Sequence, residues 1–221
     1  MTAFVVQQEW ETVRVPEWVT ILSSFRRWAT SDRFPEHGWY AYLNGEIWVD
    51  PSMERAGHNR VKTKVGAVLT IPADDAGRGQ YFCDRMLLTN TEAGLATEPD
   101  GMYLSNAAIR SRRVTLTEDD DSVEVVGSPD MVLEVVSPSS RQKDTAVLRE
   151  LYWLAGVREY WLVDPTGEQI AFDVLRRGPR GYVSTRRQPG DWLKSVVFGR
   201  SFRLTRQTNR LEQTVYTLSI R

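Results

Sequence analysis

A single cysteine, Cys83, in 221 residues removes any internal disulfide framework. No apolar stretch approaches the ~20 residues that a membrane-spanning helix needs, and no N-terminal run resembles a secretory leader. A cytoplasmic location with no membrane partner is therefore expected. A net charge of -1 excludes a protein that coats nucleic acid through bulk charge, although local patches can still steer a polyanion. The chain also lacks a phosphate-cradling glycine loop, a serine-nucleophile elbow, zinc-ligand spacing, internal repeats and low-complexity tracts, which removes the common hydrolase and zinc-module classes.

What is present is an ordinary globular composition, 41% hydrophobic, long enough to bury one good core. The expected organisation is a single domain over 1–221, with a helical segment in 1–35 and a β-rich extension over 166–221. Charge is unevenly spread. Glu118 to Glu124 reads EDDDSVE, whereas Val174 to Arg210 holds ten Lys or Arg residues and one acid, Asp191. That basic stretch is either a phosphate-contacting surface or the solvated face of twisted hairpins whose arginines protect exposed edges.

Apolar spacing predicts a first helix near Glu17 to Ala29, carried by Val19, Ile21, Leu22, Phe25 and Trp28. WYAYLNGEIWV reads as a β-hairpin turning at Asn44-Gly45, with Glu46 just after the turn. A helix over about Gly57 to Thr70 follows, with Val61, Val65, Val68 and Leu69 as its buried stripe and His58 in its first turn. One strand is expected from Gln80 to Thr89 and another from Pro99 to Ser105. The strand PDMVLEVVS, a helix from about Gln142 to Leu154 ended by Gly156, and the strand EYWLVDP together form a right-handed parallel βαβ unit. Beyond Pro165, short alternating segments between Gly and Pro turns read as antiparallel strands.

Two carboxylates stand out in this frame. Asp100 opens the strand EPDGMYLS, and Glu134 lies among Val132, Leu133, Val135 and Val136, where a strand buried on both faces has little reason to hold an acid. An ionised group there costs several kcal/mol unless it is paired or holds a metal. Two carboxylates at neighbouring strand positions make a hard-oxygen site of the kind magnesium uses. Glu134 has a second reading, a structural ion pair with Arg149 or Lys143. Asp100 can equally be a strand-start residue bonding loop amides, Glu46 a solvated residue, and His58 a surface or capping residue. Asp144 reads as a first-turn residue favoured by the helix dipole, and Asp164 as a turn residue before Pro165.

The run SPDMVLEVVSPSSRQKDTAVLRELYWLAGVREYWLVDP resembles the signature of the Uma-two restriction endonuclease family, a branch of the PD-(D/E)xK nuclease superfamily. LNGEIWVDPS resembles its Gly-Glu hairpin, EPDGMYLS its Pro-Asp strand, and His58 a histidine that often opens the following helix. The resemblance covers roughly Tyr42 to Pro165. It implies a restriction endonuclease-like α/β fold, in which helices flank a mixed β-sheet, with a C-terminal antiparallel β extension. It also implies a magnesium or manganese ion held by Asp100 and Glu134, with Glu46 as a third ligand, and DNA as the substrate. Many such enzymes act as homodimers so that both strands are cut. The chain after Pro165 can serve a dimer interface or extend the sheet.

The chain departs from the family pattern at the lysine. The simplest superfamily motif places it two residues after the acid, where Val136 stands. Uma-two members place it four residues before the tyrosine matching Tyr152, where Leu148 stands. The nearby cations are Arg141, Lys143 and Arg149. Regular helix geometry puts Arg141 on the face of Leu148, Arg149 about 100° away, and Lys143 roughly opposite Tyr152. An arginine here can clamp phosphate but cannot serve as a base. The candidate catalytic set is thus Asp100, Glu134, Glu46 and Arg149. The alternative is a catalytically inactive nuclease fold that binds nucleic acid or serves a regulatory role.

Overall fold

The computed structural model describes residues 5–8, 11–75, 77–116 and 121–221. The chain opens with a hairpin of β1 (Val5–Gln8) and β2 (Glu11–Arg14), then α1 (Leu22–Ala29), the hairpin β3 (Trp39–Leu43) and β4 (Glu46–Asp50), and the long helix α2 (Ala56–Asp75). Next come β5 (Gly79–Cys83), β6 (Leu87–Asn90), β7 (Leu95–Thr97), β8 (Gly101–Ser105), α3 (Asn106–Arg110), β9 (Val114–Leu116), β10 (Glu124–Gly127) and β11 (Met131–Val135). The crossover helix α4 consists of a π turn at Lys143–Val147 running into regular helix at Leu148–Leu154. The remaining strands are β12 (Glu159–Asp164), β13 (Ala171–Gly178), β14 (Gly181–Ser184), β15 (Leu193–Lys194), β16 (Ser201–Thr208) and β17 (Thr214–Ile220).

The central sheet has the order β14-β13-β12-β11-β8-β5, and β11 pairs parallel with β12 across α4, as a βαβ unit requires. A second mixed sheet runs β4-β3-β7-β6-β10-β9, and β15, β16 and β17 form an antiparallel sheet of their own. Alternation along β11 sorts the core into layers. Met131, Leu133 and Val135 face α2 and the C-terminal sheet, meeting Val61, Val65, Leu69, Phe202 and Leu218. Val132 faces the other way, toward Leu148, Leu151 and Tyr152 of α4 and toward Leu43, Leu88 and Leu95 of the second sheet. Phe25 and Trp28 of α1 pack with Tyr40 and Tyr42 in a third cluster. The mixed α/β architecture between helices, with an antiparallel extension, is the one expected.

Two local expectations need correction. The predicted first helix is shorter, starting at Leu22, and a β-hairpin precedes it. The single strand foreseen over Gln80–Thr89 is two strands in different sheets, because Asp84 (φ 38°) and Arg85 (φ 65°) turn the chain through left-handed conformations that aspartate tolerates but arginine rarely adopts. Of the acidic run, Glu118 to Asp120 lie outside the described residues. The Asn44-Gly45 turn is as read, with φ of 48° and 92°, the left-handed pair of a tight hairpin.

Candidate active site

β8 and β11 are antiparallel neighbours in which Gly101 pairs with Leu133, so the register carried one residue further sets Asp100 opposite Glu134. The Val135 N–H donates to Asp100 Oδ2 at 2.6 Å, which ties the mouth of β8 to β11. Both carboxylates line one cavity of about 670 Å³ at the ends of β4, β8 and β11, roofed by the start of α2 and the entry to α4. Seven carboxylates face it against four lysine and arginine side chains. Its walls therefore lean negative.

Glu134 is 2% exposed. Its Oε1 accepts the Tyr152 hydroxyl at 2.6 Å, and its Oε2 lies 3.8 Å from Lys143 Nζ. Burial pushes its carboxyl up to about 8; Lys143 opposes that rise, while Asp144 and Asp100 add to it. Asp144, buried beside it, is raised by burial as well, although Lys143 Nζ at 2.6 Å and the Ser140 hydroxyl at 2.5 Å hold it down in part. Two buried carboxyls thus share one ammonium. Asp144 is the better paired of the two, so Glu134 is the one left short of positive charge.

On the opposite wall, Asp100 Oδ2 lies 3.3 Å from His58 Nε2, and His58 Nδ1 lies 2.7 Å from Glu54 Oε1. Burial alone would lower the His58 imidazole, but Asp100 and Glu54 outweigh it and bring it up to about 9. His58 is then an imidazolium at neutral pH and donates from both nitrogens. Lys62, one helical turn on, bridges Glu54 and Asp84 (2.7 Å) and comes within 3.7 Å of Asp100 Oδ1. Glu98 is raised to about 7, mostly by burial, with Arg85 at 3.7 Å opposing.

Of the residues singled out in the sequence, the cavity gathers Asp100, Glu134 and His58. It leaves out Glu46 and Arg149. Glu46 is exposed at the turn end of β4, roughly 13 Å of extended strand from Asp50, the β4 residue that does reach the cavity. Arg149 is exposed and donates to the Tyr182 carbonyl at 3.2 Å, and Arg141 is occupied by Asp164 (2.7 Å) and Thr166 (2.6 Å). Leu148 is fully buried in the core. Asp144 is in the first turn of its helix, as read, and is also buried as a wall of the cavity. Asp50, Glu54 and Lys62 were missed, although Lys62 follows His58 by four residues on one face of α2.

Lys143 departs from the helical projection, although its ammonium at 3.8 Å from Glu134 matches the second reading of that acid, an ion pair. Regular helix geometry points it away from Tyr152, but the Leu148 N–H bonds the Lys143 carbonyl, five residues back. That π turn inserts one extra residue and swings the start of α4 round toward the sheet. Lys143 is consequently 7% exposed, with its ammonium 4.0 Å above the Trp39 ring, and both it and Tyr152 converge on Glu134.

Among the described residues no group of three or more His, Cys, Asp or Glu side chains is drawn together into a cage that could hold a metal. Magnesium seldom needs one, since it usually takes one or two carboxylates and completes its shell with waters and substrate phosphate oxygens. Asp100 and Glu134 offer hard oxygen ligands from adjacent strands, and the deficit of positive charge at Glu134 suits a small divalent cation. The donor set fits such an ion and not a thiolate- or imidazole-seeking one.

The overall fold is similar to that of a solved structure, a putative nuclease belonging to DUF820 from Anabaena variabilis ATCC 29413, which superposes with a TM-score of 0.62 at 17% identity over 81% of this chain and 90% of that one. The fold is thus that of a nuclease-like α/β protein. The family model described as "Putative restriction endonuclease", Uma2, matches residues 22–207, and the chain belongs to that family. No curated protein matches it. No helix among the described residues is long and apolar enough to cross a membrane.

Proposed function

We propose that this protein is a metal-dependent endonuclease that hydrolyses DNA phosphodiester bonds in the cytoplasm, with Asp100 and Glu134 as its metal ligands. The observation that carries the reading is the pair itself: two carboxylates set opposite each other on neighbouring strands, at the wall of a single negative cavity. A magnesium or manganese ion bound by them would acidify the attacking water and neutralise charge building on the scissile phosphate. The chain's own residues supply the rest. The Tyr152 hydroxyl orients Glu134, and the Val135 N–H and charged His58 fix Asp100, so both ligands are held before substrate arrives. Pairing of two copies would let both strands of a duplex be cut.

A second reading, a nuclease fold that binds nucleic acid without cutting it, draws support from Val136 and Leu148, both buried apolar residues at the two positions where the resemblance implies a lysine. Supercoiled plasmid separates the two. The nuclease reading expects nicking with magnesium or manganese, none with chelator, and loss of nicking in an Asp100→Ala, Glu134→Ala variant. Retention of plasmid on the protein without any nicking in either metal would favour the second reading and overturn the first.

A further inference from the structure

We propose that Lys143, carried into the cavity by the π turn of α4, is the phosphate-contacting cation of this site. The inference rests on the nuclease reading for its reaction, but the contact it assigns is to a phosphate group and can be read without turnover.

Lys143 balances the buried Glu134 and Asp144, and it does so from a helix position that ordinarily faces solvent. A lysine in the first turns of an exposed crossover helix ordinarily reaches into solvent, keeping its flexible stem free and its ammonium hydrated. Here the stem is buried, and the Leu148 N–H bonds the Lys143 carbonyl in place of the regular partner at Asp144. π turns inside α-helices are rare and concentrate at functional sites. The platform beneath is equally fixed: the Trp39 indole N–H donates to the Glu98 carbonyl at 3.1 Å, which locks the ring on which the ammonium sits.

The donor count leaves room for a ligand. An ammonium has three N–H donors and no acceptor. That of Lys143 lies 2.6 Å from Asp144 Oδ1 as an ion pair without hydrogen-bond alignment, and the Trp39 face shields another side. Glu134 Oε2, at 3.8 Å, is beyond hydrogen-bond length. At least one donor is therefore free to turn to an anion entering the cavity beside Glu134. Asp144 and Ser140 act as the bracket that keeps the ammonium in place. Of the other two cations that the sequence places near Glu134, Arg141 is committed to Asp164 and Arg149 to the Tyr182 carbonyl. In the reaction a preorganised ammonium at this point stabilises the negative charge that grows on the phosphoryl oxygens, without giving up its proton.

The test compares wild type with Lys143→Met and Lys143→Arg. Binding of a fluorescent duplex is measured across a salt series with calcium in place of magnesium, and plasmid cleavage is measured with magnesium. A lost phosphate contact flattens the slope of log K against log salt by about 0.9. That slope is indifferent to a merely structural lysine. The proposal expects Lys143→Met to lose about one unit of slope and on the order of 10²-fold in cleavage, with Lys143→Arg restoring the slope. Manganese titration and thermal melts keep folding and metal binding in view. An unchanged slope in a folded Lys143→Met protein overturns the assignment, even if wild type cleaves. Wild type that binds DNA with the Lys143-dependent slope but never cleaves leaves the assignment standing and sinks the hydrolytic reading. Wild type that neither binds nor cleaves overturns both.

Discussion

Burial alone would raise the Glu54 carboxyl, yet donors from Lys62, Asn59 and His58 bring it down to about 2. A carboxyl lower in the folded than in the unfolded chain adds stability that is complete above its unfolded value of about 4.3 and is lost as pH falls toward the folded one. Glu54→Gln should therefore be less stable than wild type at pH 7. The gap should narrow as the pH of chelator-treated thermal melts is taken from 4.5 toward 2, and a gap that widens there contradicts the assignment. Glu134 makes a contrasting case. Its carboxylate is buried short of positive charge, so the neutral isostere in Glu134→Gln removes a burden while the side-chain oxygen still accepts the Tyr152 hydroxyl. The metal-free variant is expected to melt at or above the wild-type temperature and to bind no manganese. A clear drop in its melting temperature would make Glu134 a structural ion-pair partner.

At the scale of elements, α4 decides which cation reaches the cavity. Removing one residue from its π turn, by deleting the exposed Ala146, would restore regular i→i-4 bonding and rotate everything before it by about 100° relative to the anchored Leu148–Leu154 half. The deletion variant is expected to remain folded and to share the DNA-binding phenotype of Lys143→Met, while a wild-type phenotype would show that the π turn does not deliver Lys143. Leu148, fully buried against α4's neighbours, behaves as core: Leu148→Ala should lower stability by about 2–5 kcal/mol in urea unfolding. These elements also mark how far the sequence could be read. The Asn44-Gly45 hairpin, the buried stripe of α2 and the parallel pair β11 and β12 each follow from a local pattern of spacing or turn chemistry. The break between β5 and β6 does not, because Asp84 and Arg85 take left-handed conformations set by tertiary contacts, such as the Lys62 ion pair to Asp84. The direction of Lys143 was hidden for the same kind of reason. Helical projection assumes 3.6 residues per turn throughout, and no residue in KDTAV announces otherwise.

Across the whole molecule, the C-terminal sheet is tied to the central sheet by buried hydrogen bonds as well as packed against it. Glu159, the first residue of β12 and fully buried, accepts the Ser195 hydroxyl at 2.6 Å and the Val196 N–H at 2.5 Å. Trp161 packs edge-on to Phe202 at 4.8 Å from the neighbouring sheet. The described elements should accordingly unfold together, with far-ultraviolet circular dichroism and tryptophan fluorescence giving coincident urea transitions; two separated transitions would divide the chain into independent units. Glu134 was legible because an acid inside an apolar strand is costly wherever the strand lies, whereas Asp100, just before β8, was singled out only beside it and by the resemblance. Asp50 and Glu54 were not, because only the closing of the β3–β4 hairpin over the end of β8 brings them to the same cavity. The account's central claim is that Asp100 and Glu134 together hold a divalent cation. The most direct measurement is calorimetric titration of manganese into wild type and into the Asp100→Ala, Glu134→Ala variant at pH 8. The account predicts saturable binding at one site in wild type and none in the folded variant. Equal binding by both proteins, or none by either, would contradict it.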